Sequence, residues 1–566
     1  MDDWRSRVGG IAGGLLAVAA MNVAVTSLAV TSLAVTSLAV TSLAVTSLAA
    51  QTPQFLKADQ CQLCHRLVPG VPGDNAALGH PVAPYPAWSG SMMAHAARDP
   101  YWAAKAKAEK QANPQAPFSL DAVCMRCHAP MQAKTAEGGS KPVAVAALDG
   151  FGLDGVSCMV CHQILPDGLG TKTTFTGLGK YSGELVAFGP HAAPFTMPML
   201  HHTGVTAKEG KHIQESALCG SCHTVITPSL DERGEVHGEF MEQGPYLEWL
   251  ASSYRQTKSC QGCHMPQAKS PAEGSSAESS RFYIAHNPAG RPFPPTSPRE
   301  LFGVHSFAGG NAAMLQHLAE QPGAAASLPH SAARTRENLH RAALLRLHPS
   351  RGKDELEVQV TIRNLTGHKL PTGFPSRRMW VHFTVLDASG KPLFESGALD
   401  ESGYEIRGQS STGVARVAPH RNRITRPDEV AVYESEMEDA AGQITHSLLR
   451  ARRLGKDNRI LPAGFDANTP MPAGIPAAWI APAGVNGDAD FLAGADTVTY
   501  QLPRTVASAA HRVKAELFFQ SIKPSHLAAL RKAATGEDVS DLARLQGALG
   551  VEVIASAETT LPQRTP

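Results

Sequence analysis

The sequence predicts an α+β chain of more than one domain, an irregular and mostly α-helical part followed by a β-sandwich-like part. Three observations carry that expectation. All ten cysteines of the 566 residues fall into five copies of Cys-x-x-Cys-His between Cys61 and His264. That leaves roughly 40 residues per copy, too few for an ordinary side-chain core, so short helices and loops wrapped around something other than side chains are expected. No further copy follows His264, and from Glu355 onward apolar and polar residues alternate as they do in half-buried strands. The expected organisation is a signal peptide with low-complexity repeats over 1–50, a motif-bearing domain over 51–325, a connecting helix over 326–350 and a β-sandwich-like domain over 351–566.

The N-terminus has the composition of an export signal. Arg5 and Arg7 make a positive start, no charged residue occurs from Val8 to Leu56, and Ile11 to Val25 is an apolar run of signal-peptide length. Five tandem Val-Thr-Ser-Leu-Ala units follow, beginning at Val25, Val30, Val35, Val40 and Val45. A period of five fits neither helix nor strand. Ser47, Ala49 and Ala50 offer a cleavage site before Gln51. The alternative is an uncleaved anchor, since the run is long enough to span a bilayer. Without an Arg-Arg pair, general secretion is favoured over the twin-arginine route. Contact with a membrane is expected only through an uncleaved N-terminus, and the expected location is the periplasm or the cell exterior.

The five motifs are Cys61-Gln62-Leu63-Cys64-His65, Cys124-Met125-Arg126-Cys127-His128, Cys158-Met159-Val160-Cys161-His162, Cys219-Gly220-Ser221-Cys222-His223 and Cys260-Gln261-Gly262-Cys263-His264. This spacing is the attachment signature of c-type haem. Two thiols add to the vinyl groups of one porphyrin, and the adjacent imidazole binds the iron. Four-cysteine zinc sites would use the pairs two by two and strand one of five. A thioredoxin-like motif occurs once and needs no trailing histidine, and disulfides give no reason for histidine after every pair. Five covalent haems are therefore expected, with His65, His128, His162, His223 and His264 as iron ligands. Export agrees, because c-type attachment takes place outside the bacterial cytoplasm.

Charge excludes one class of partner. Lys and Arg number 51 against 50 Asp and Glu, so there is no nucleic-acid footprint. Histidine is abundant, 24 in all. That surplus matters because the group opposite the motif histidine decides the chemistry: a second imidazole closes the iron for electron transfer, whereas an open position makes it reactive. Candidate second ligands are His95 in Ser91-Met92-Met93-Ala94-His95, His305 beside Gly303, Gly309 and Gly310, and His368 in Gly367-His368-Lys369-Leu370-Pro371. His191, His201, His202 and His212 between the third and fourth motifs complete the set, and spacing does not choose among them. Met131, Met197, Met199 and Met265 are weaker candidates, since methionine is more often gap-filling core.

Local signals predict the remaining elements. Helices are expected over 90–98 with Ser89 as cap, over 100–110 with Asp99 as cap and Pro100 at the first helical position, and over 246–254. Ser270 to Ser280 reads as a surface loop, and the proline-rich stretch from Pro288 to Pro298 as an extended cover. Arg334 to Leu347 reads as one connecting helix. Strands are expected over 355–362, 379–386, 392–395, 496–502 and 513–519, with a hairpin turn at Asp387-Ala388-Ser389-Gly390-Lys391. A closing helix is expected over 525–534.

The motif-bearing part resembles the exported multihaem cytochromes c, including relatives that work in nitrogen and sulfur respiration. Besides the motifs, the similarity rests on Ser91-x-x-x-His95, on Gln243-Gly244-Pro245-Tyr246-Leu247-Glu248-Trp249 before Ser259-Cys260, and on the stretch from His305 to Asn311. The loop from Gly367 to Gly373, with Pro375-Ser376-Arg377-Arg378, resembles the β domain appended to some of these cytochromes. The resemblance implies closely stacked haems forming an electron wire, most with two histidine ligands. Pentahaem nitrite reductases of similar haem count have lysine in place of one motif histidine; here all five are histidine, which weighs against that activity.

The leading expectation is an electron carrier, exchanging electrons with redox proteins such as a quinol-linked membrane complex or a terminal reductase. The alternative is an oxidoreductase acting on a small nitrogen or sulfur oxyanion at an open haem. A third expectation is a structural role in an extracellular filament, with the β part as docking module.

Overall fold

In the computed structural model the described residues are 55–68, 82–137, 143–267, 281–289, 291, 294, 296, 299–300, 303–409, 417–534 and 537–561. The stretch read as an export signal with its repeats, the stretch from Ser270 to Ser280 read as a surface loop, and much of the proline-rich stretch lie outside them. Among the described residues, no helix is long and apolar enough to cross a membrane.

The motif-bearing part is built from short helices and loops, as the low residue count per motif requires. Its longest helix, Pro100–Ala112, starts where expected: the Asp99 side chain accepts from the backbone N–H of Tyr101 at 2.9 Å and of Trp102 at 3.4 Å. The helix expected over 90–98 is replaced by Pro84–Ser89 followed by turns. Two contacts explain the difference. The Met93 carbonyl accepts from Val156 N–H at 2.9 Å and, within its own turn, from Ala96 N–H at 3.3 Å, where an α-helix would bring Ala97 N–H. Gly90 lies so close to Ser327 that a Cβ would meet its backbone oxygen at 2.8 Å. Pro245–Leu250 is helical and is followed by a 3₁₀ turn, Ser253–Gln256. Three small ribbons complete this part: β1 (Val186–Gly189) with β2 (Thr206–Glu209), β3 (Val225–Leu230) with β4 (Val236–Gln243), and the two-residue pairing of Arg281–Phe282 with Arg299–Glu300.

The connecting helix expected over 326–350 is shorter, Leu328–His340, and its expected second half is a strand, β5 (Ala343–Arg351). Ala343 and Leu345 point inward while Leu344 and Arg346 are exposed, a period of two that leucine content disguises as helix. Then come β6 (Glu355–Asn364), β7 (Arg378–Leu386), β8 (Pro392–Ser396), β9 (Arg423–Ile424), β10 (Val432–Glu438), β11 (Arg453–Asp457), β12 (Ala495–Pro503), β13 (Arg512–Gln520) and β14 (Glu552–Thr560). One sheet runs β9-β12-β6-β5; the other runs β11-β10-β7-β13-β14, with β8 also on β7. Pairing in both is antiparallel except β9 on β12. The β7–β8 turn forms because Asp387 Oδ1 accepts from the backbone N–H of Ser389 and Lys391.

The sheets pack face to face. Val358, Val360 and Ile362 of β6 and Val498 and Tyr500 of β12 meet Val381, Phe383 and Val385 of β7 and Leu517 of β13 in one fully buried core. Phe383 and Tyr500 stack across it at 3.8 Å. The expected sandwich layering is thus present, and the helical and β parts pack as one compact unit. β10 escaped the sequence pattern because it is buried on both faces and one of them is charged: Glu434 pairs with Lys456 at 3.0 Å, and Glu436 with Lys523 at 2.5 Å.

Candidate functional site

A short helix carries each motif, and that local geometry gives the spacing its use. On a helical turn, positions i, i+3 and i+4 share a face, so two thiols and the following imidazole point the same way. The helices are Ala58–Gln62 and Ser216–Gly220, each with the turn after it, Leu120–His128, Cys158–His162 and Cys260–His264. Ser119 and Ser259 cap theirs by accepting from Ala122 N–H and Gly262 N–H, and Asp154 accepts from Ala58 N–H at the first.

Residues of all five motifs line a single continuous cavity of about 1790 Å³, larger than ordinary small-molecule pockets of roughly 300–1,000 Å³. Thiols of different motifs meet along it in pairs: Cys61 with Cys158, Cys127 with Cys222, and Cys219 with Cys260. None of the ten cysteines is in a disulfide.

Four motif histidines are oriented alike. Nδ1 of His65 bonds the Ile284 carbonyl at 2.7 Å, that of His128 the Ala96 carbonyl at 2.9 Å, that of His162 the Phe188 carbonyl at 2.6 Å and that of His264 the Ala308 carbonyl at 2.7 Å. A carbonyl only accepts, so Nδ1 carries the proton and the lone pair stays on Nε2. That is the tautomer an iron ligand needs. Burial holds His128 and His223 down to about 4, which keeps both uncharged.

Two of the seven candidate partners face a motif histidine. The His305 ring lies 6.1 Å from that of His162 at 21°, and His368 lies 6.3 Å from His264 at 15°. Two metal–nitrogen bonds of about 2.0 Å, with roughly 1.2 Å from each nitrogen to its ring centre, would separate two imidazoles on one metal by about 6.4 Å. His368 also bonds a carbonyl through Nδ1, that of Lys369 at 3.1 Å. The residues therefore fit thioether-bound haem, with His162 and His305, and His264 and His368, as ligand pairs.

The other five candidates are placed differently. His191 lines the cavity. His95 is buried with Nε2 bonded to the Ser89 carbonyl at 3.0 Å, and His212 is buried with Nε2 on the Ile164 carbonyl at 2.9 Å. His201 and His202 adjoin each other on helix Thr196–Thr203, at 5.0 Å between ring centres. His286 was not among the sequence candidates, yet it stands beside His65, its backbone N–H on the Cys64 carbonyl.

The cavity wall near the second and fourth motifs is polar, which the sequence did not reveal because its residues come from distant segments. Trp102 stacks on His128 at 4.4 Å. Nearby are Asp99, pushed up to about 6 by burial, and Glu242, pushed up to about 8 by burial with help from Glu109. Lys105 pairs with Glu109 at 2.6 Å. Arg377 adjoins His223 and bonds the Thr372 carbonyl and, at 3.4 Å, Asn311 Oδ1.

Comparison with known proteins finds two likenesses. Residues 60–163 match the family model described as Cytochrome c554 and c-prime. A penta-heme cytochrome c552 from Thermochromatium tepidum shares the fold with a TM-score of 0.51 at 19% identity, over 89% of this chain and 99% of that one. Among curated proteins none matches.

Proposed function

We propose that this chain is a multihaem cytochrome c that relays electrons through five covalently attached haems, after export to the periplasm or cell surface, a reading that the family match over residues 60–163 and the shared fold support. The observation that carries the reading is the continuous cavity reached by all five motifs, whose thiols meet in pairs. When bound, the haems supply one-electron oxidation and reduction. The chain's own part is to attach them, fix imidazoles at the iron positions and exclude water.

Thiol contacts give the relay an order. The first motif adjoins the third, the second adjoins the fourth, and the fourth adjoins the fifth; Cys161 of the third also lies near Cys222 of the fourth. The path then runs from the first through the third and fourth to the fifth, with the second branching at the fourth. Partners are redox proteins such as a quinol-linked membrane complex or a terminal reductase. His95, His191, His201, His202 and His212 are the reservoir from which the remaining irons take second ligands.

One observation favours a second reading, an oxidoreductase acting on a small nitrogen or sulfur oxyanion. The polar wall of Asp99, Tyr101, Lys105, Glu242 and Arg377 adjoins the second and fourth motifs, and among the described residues neither His128 nor His223 has a parallel histidine partner. A count of spin states decides. A pure relay predicts low-spin iron at every haem of the oxidised protein and a reduced spectrum unchanged by carbon monoxide. A high-spin, carbon-monoxide-binding fraction near one-fifth would sink that reading in favour of the enzyme.

A further inference from the structure

Four buried charges join the β part to the helix that precedes the fifth motif. Lys369 Nζ lies 2.5 Å from Asp457 Oδ2, with both side chains fully out of solvent. Arg459 grips the same carboxylate through Nε at 2.7 Å and Nη2 at 2.8 Å, and reaches Glu248 of helix Pro245–Leu250 at 3.0 Å. Glu248 closes the ring by accepting the backbone N–H of Lys369 at 3.0 Å.

Such a cluster is a poor stabiliser. Each ion gives up its hydration, and apolar replacements of similar volume are often as stable. What four buried charges paired with one another do is admit one arrangement and penalise the rest. The arrangement in question is that of the loop carrying His368. Asn364 Nδ2 and Thr366 Oγ1 each donate to the His368 carbonyl at 2.8 Å. Leu370 and Ile460 exchange backbone hydrogen bonds at 3.0 and 2.8 Å. Between these anchors the Lys369 peptide moves only if its N–H leaves Glu248 and its ammonium leaves Asp457. The carbonyl of that same residue accepts from His368 Nδ1 and so sets the ring that lies parallel to His264.

We propose that Glu248, Lys369, Asp457 and Arg459 form a positioning device that holds His368 as the second imidazole at the iron of the fifth motif, so that the β part determines whether this haem is closed. The proposal rests on the reading of His368 as an iron ligand.

The test uses the full-length holoprotein and three variants: His368→Ala, Lys369→Met with Asp457→Asn, which keeps the cluster neutral, and Glu248→Gln. Spin state, carbon monoxide binding and thermal unfolding are measured on each. His368→Ala is expected to make about one-fifth of the iron high-spin and reactive to carbon monoxide, reversed by added imidazole. The paired variant should produce the same signal in part, also reversed by imidazole. An unchanged spectrum in His368→Ala removes the ligand reading and the proposal with it. A spectral change there, but none in the paired variant at full haem content, overturns the positioning role alone, even if the unfolding temperature falls. Glu248→Gln decides by the same criterion if the paired variant fails to accumulate.

Discussion

Replacing Cys219 and Cys222 together by alanine is expected to abolish the folded protein, not merely to delete one chromophore. The fourth motif contributes thiols to contacts with both the second and the fifth. The segment around it is also braced by its neighbours: Cys260 N–H donates to Ser216 Oγ at 3.0 Å, and Gln261 Nε2 donates to the Ile213 and Glu215 carbonyls. Emptying a fifth of a 1790 Å³ cavity, at about 24 cal/mol per Å³, costs on the order of 9 kcal/mol. A whole domain has only about 5–15 kcal/mol to lose. Yield of soluble protein and its circular dichroism check this. A soluble four-haem product with an unchanged unfolding temperature would show that the porphyrins are not part of the core.

His305→Ala is expected to open the haem of the third motif while leaving the fold standing. Burial pushes the His305 imidazole down to about 3, so it is uncharged and able to donate a lone pair. Its ring faces that of His162, whose proton is committed to the Phe188 carbonyl. Truncation leaves an imidazole-sized hole beside the iron and spares the residues that shape its walls. About one-fifth of the iron should turn high-spin in the oxidised protein, and free imidazole should restore the original spectrum by refilling the hole. Magnetic circular dichroism or electron paramagnetic resonance reads the change. A spectrum identical to that of the unmodified protein would remove His305 from the ligand set.

What could be read in advance divides by the range of the interactions involved. Cys-x-x-Cys-His is a local device, complete within one helical turn, so all five copies were visible as text. The Asp99–Pro100 start and the Asp387–Lys391 turn are local as well, and both formed as expected. The second ligands are not local. His305 and His368 come from segments far along the chain, and only the fold sets their rings opposite His162 and His264. The hydrogen bonds from His95 Nε2 to the Ser89 carbonyl and from His212 Nε2 to the Ile164 carbonyl are likewise set by the fold and not by neighbouring residues. The misread elements have physical causes too. β10 buries Glu434 and Glu436 against lysines, which inverts the usual apolar signature of a central strand. Residues 90–98 lost their helix to tertiary contacts at Gly90 and Met93 that no local propensity encodes.

The central claim is that porphyrin fills the long cavity at every cysteine pair, and the most direct check is the amount of covalently bound haem per polypeptide. Pyridine-adduct absorbance, set against protein determined by amino-acid analysis and repeated after acid-acetone extraction, should return five groups that resist extraction. Fewer than five, or pigment that leaves with the solvent, would contradict the account.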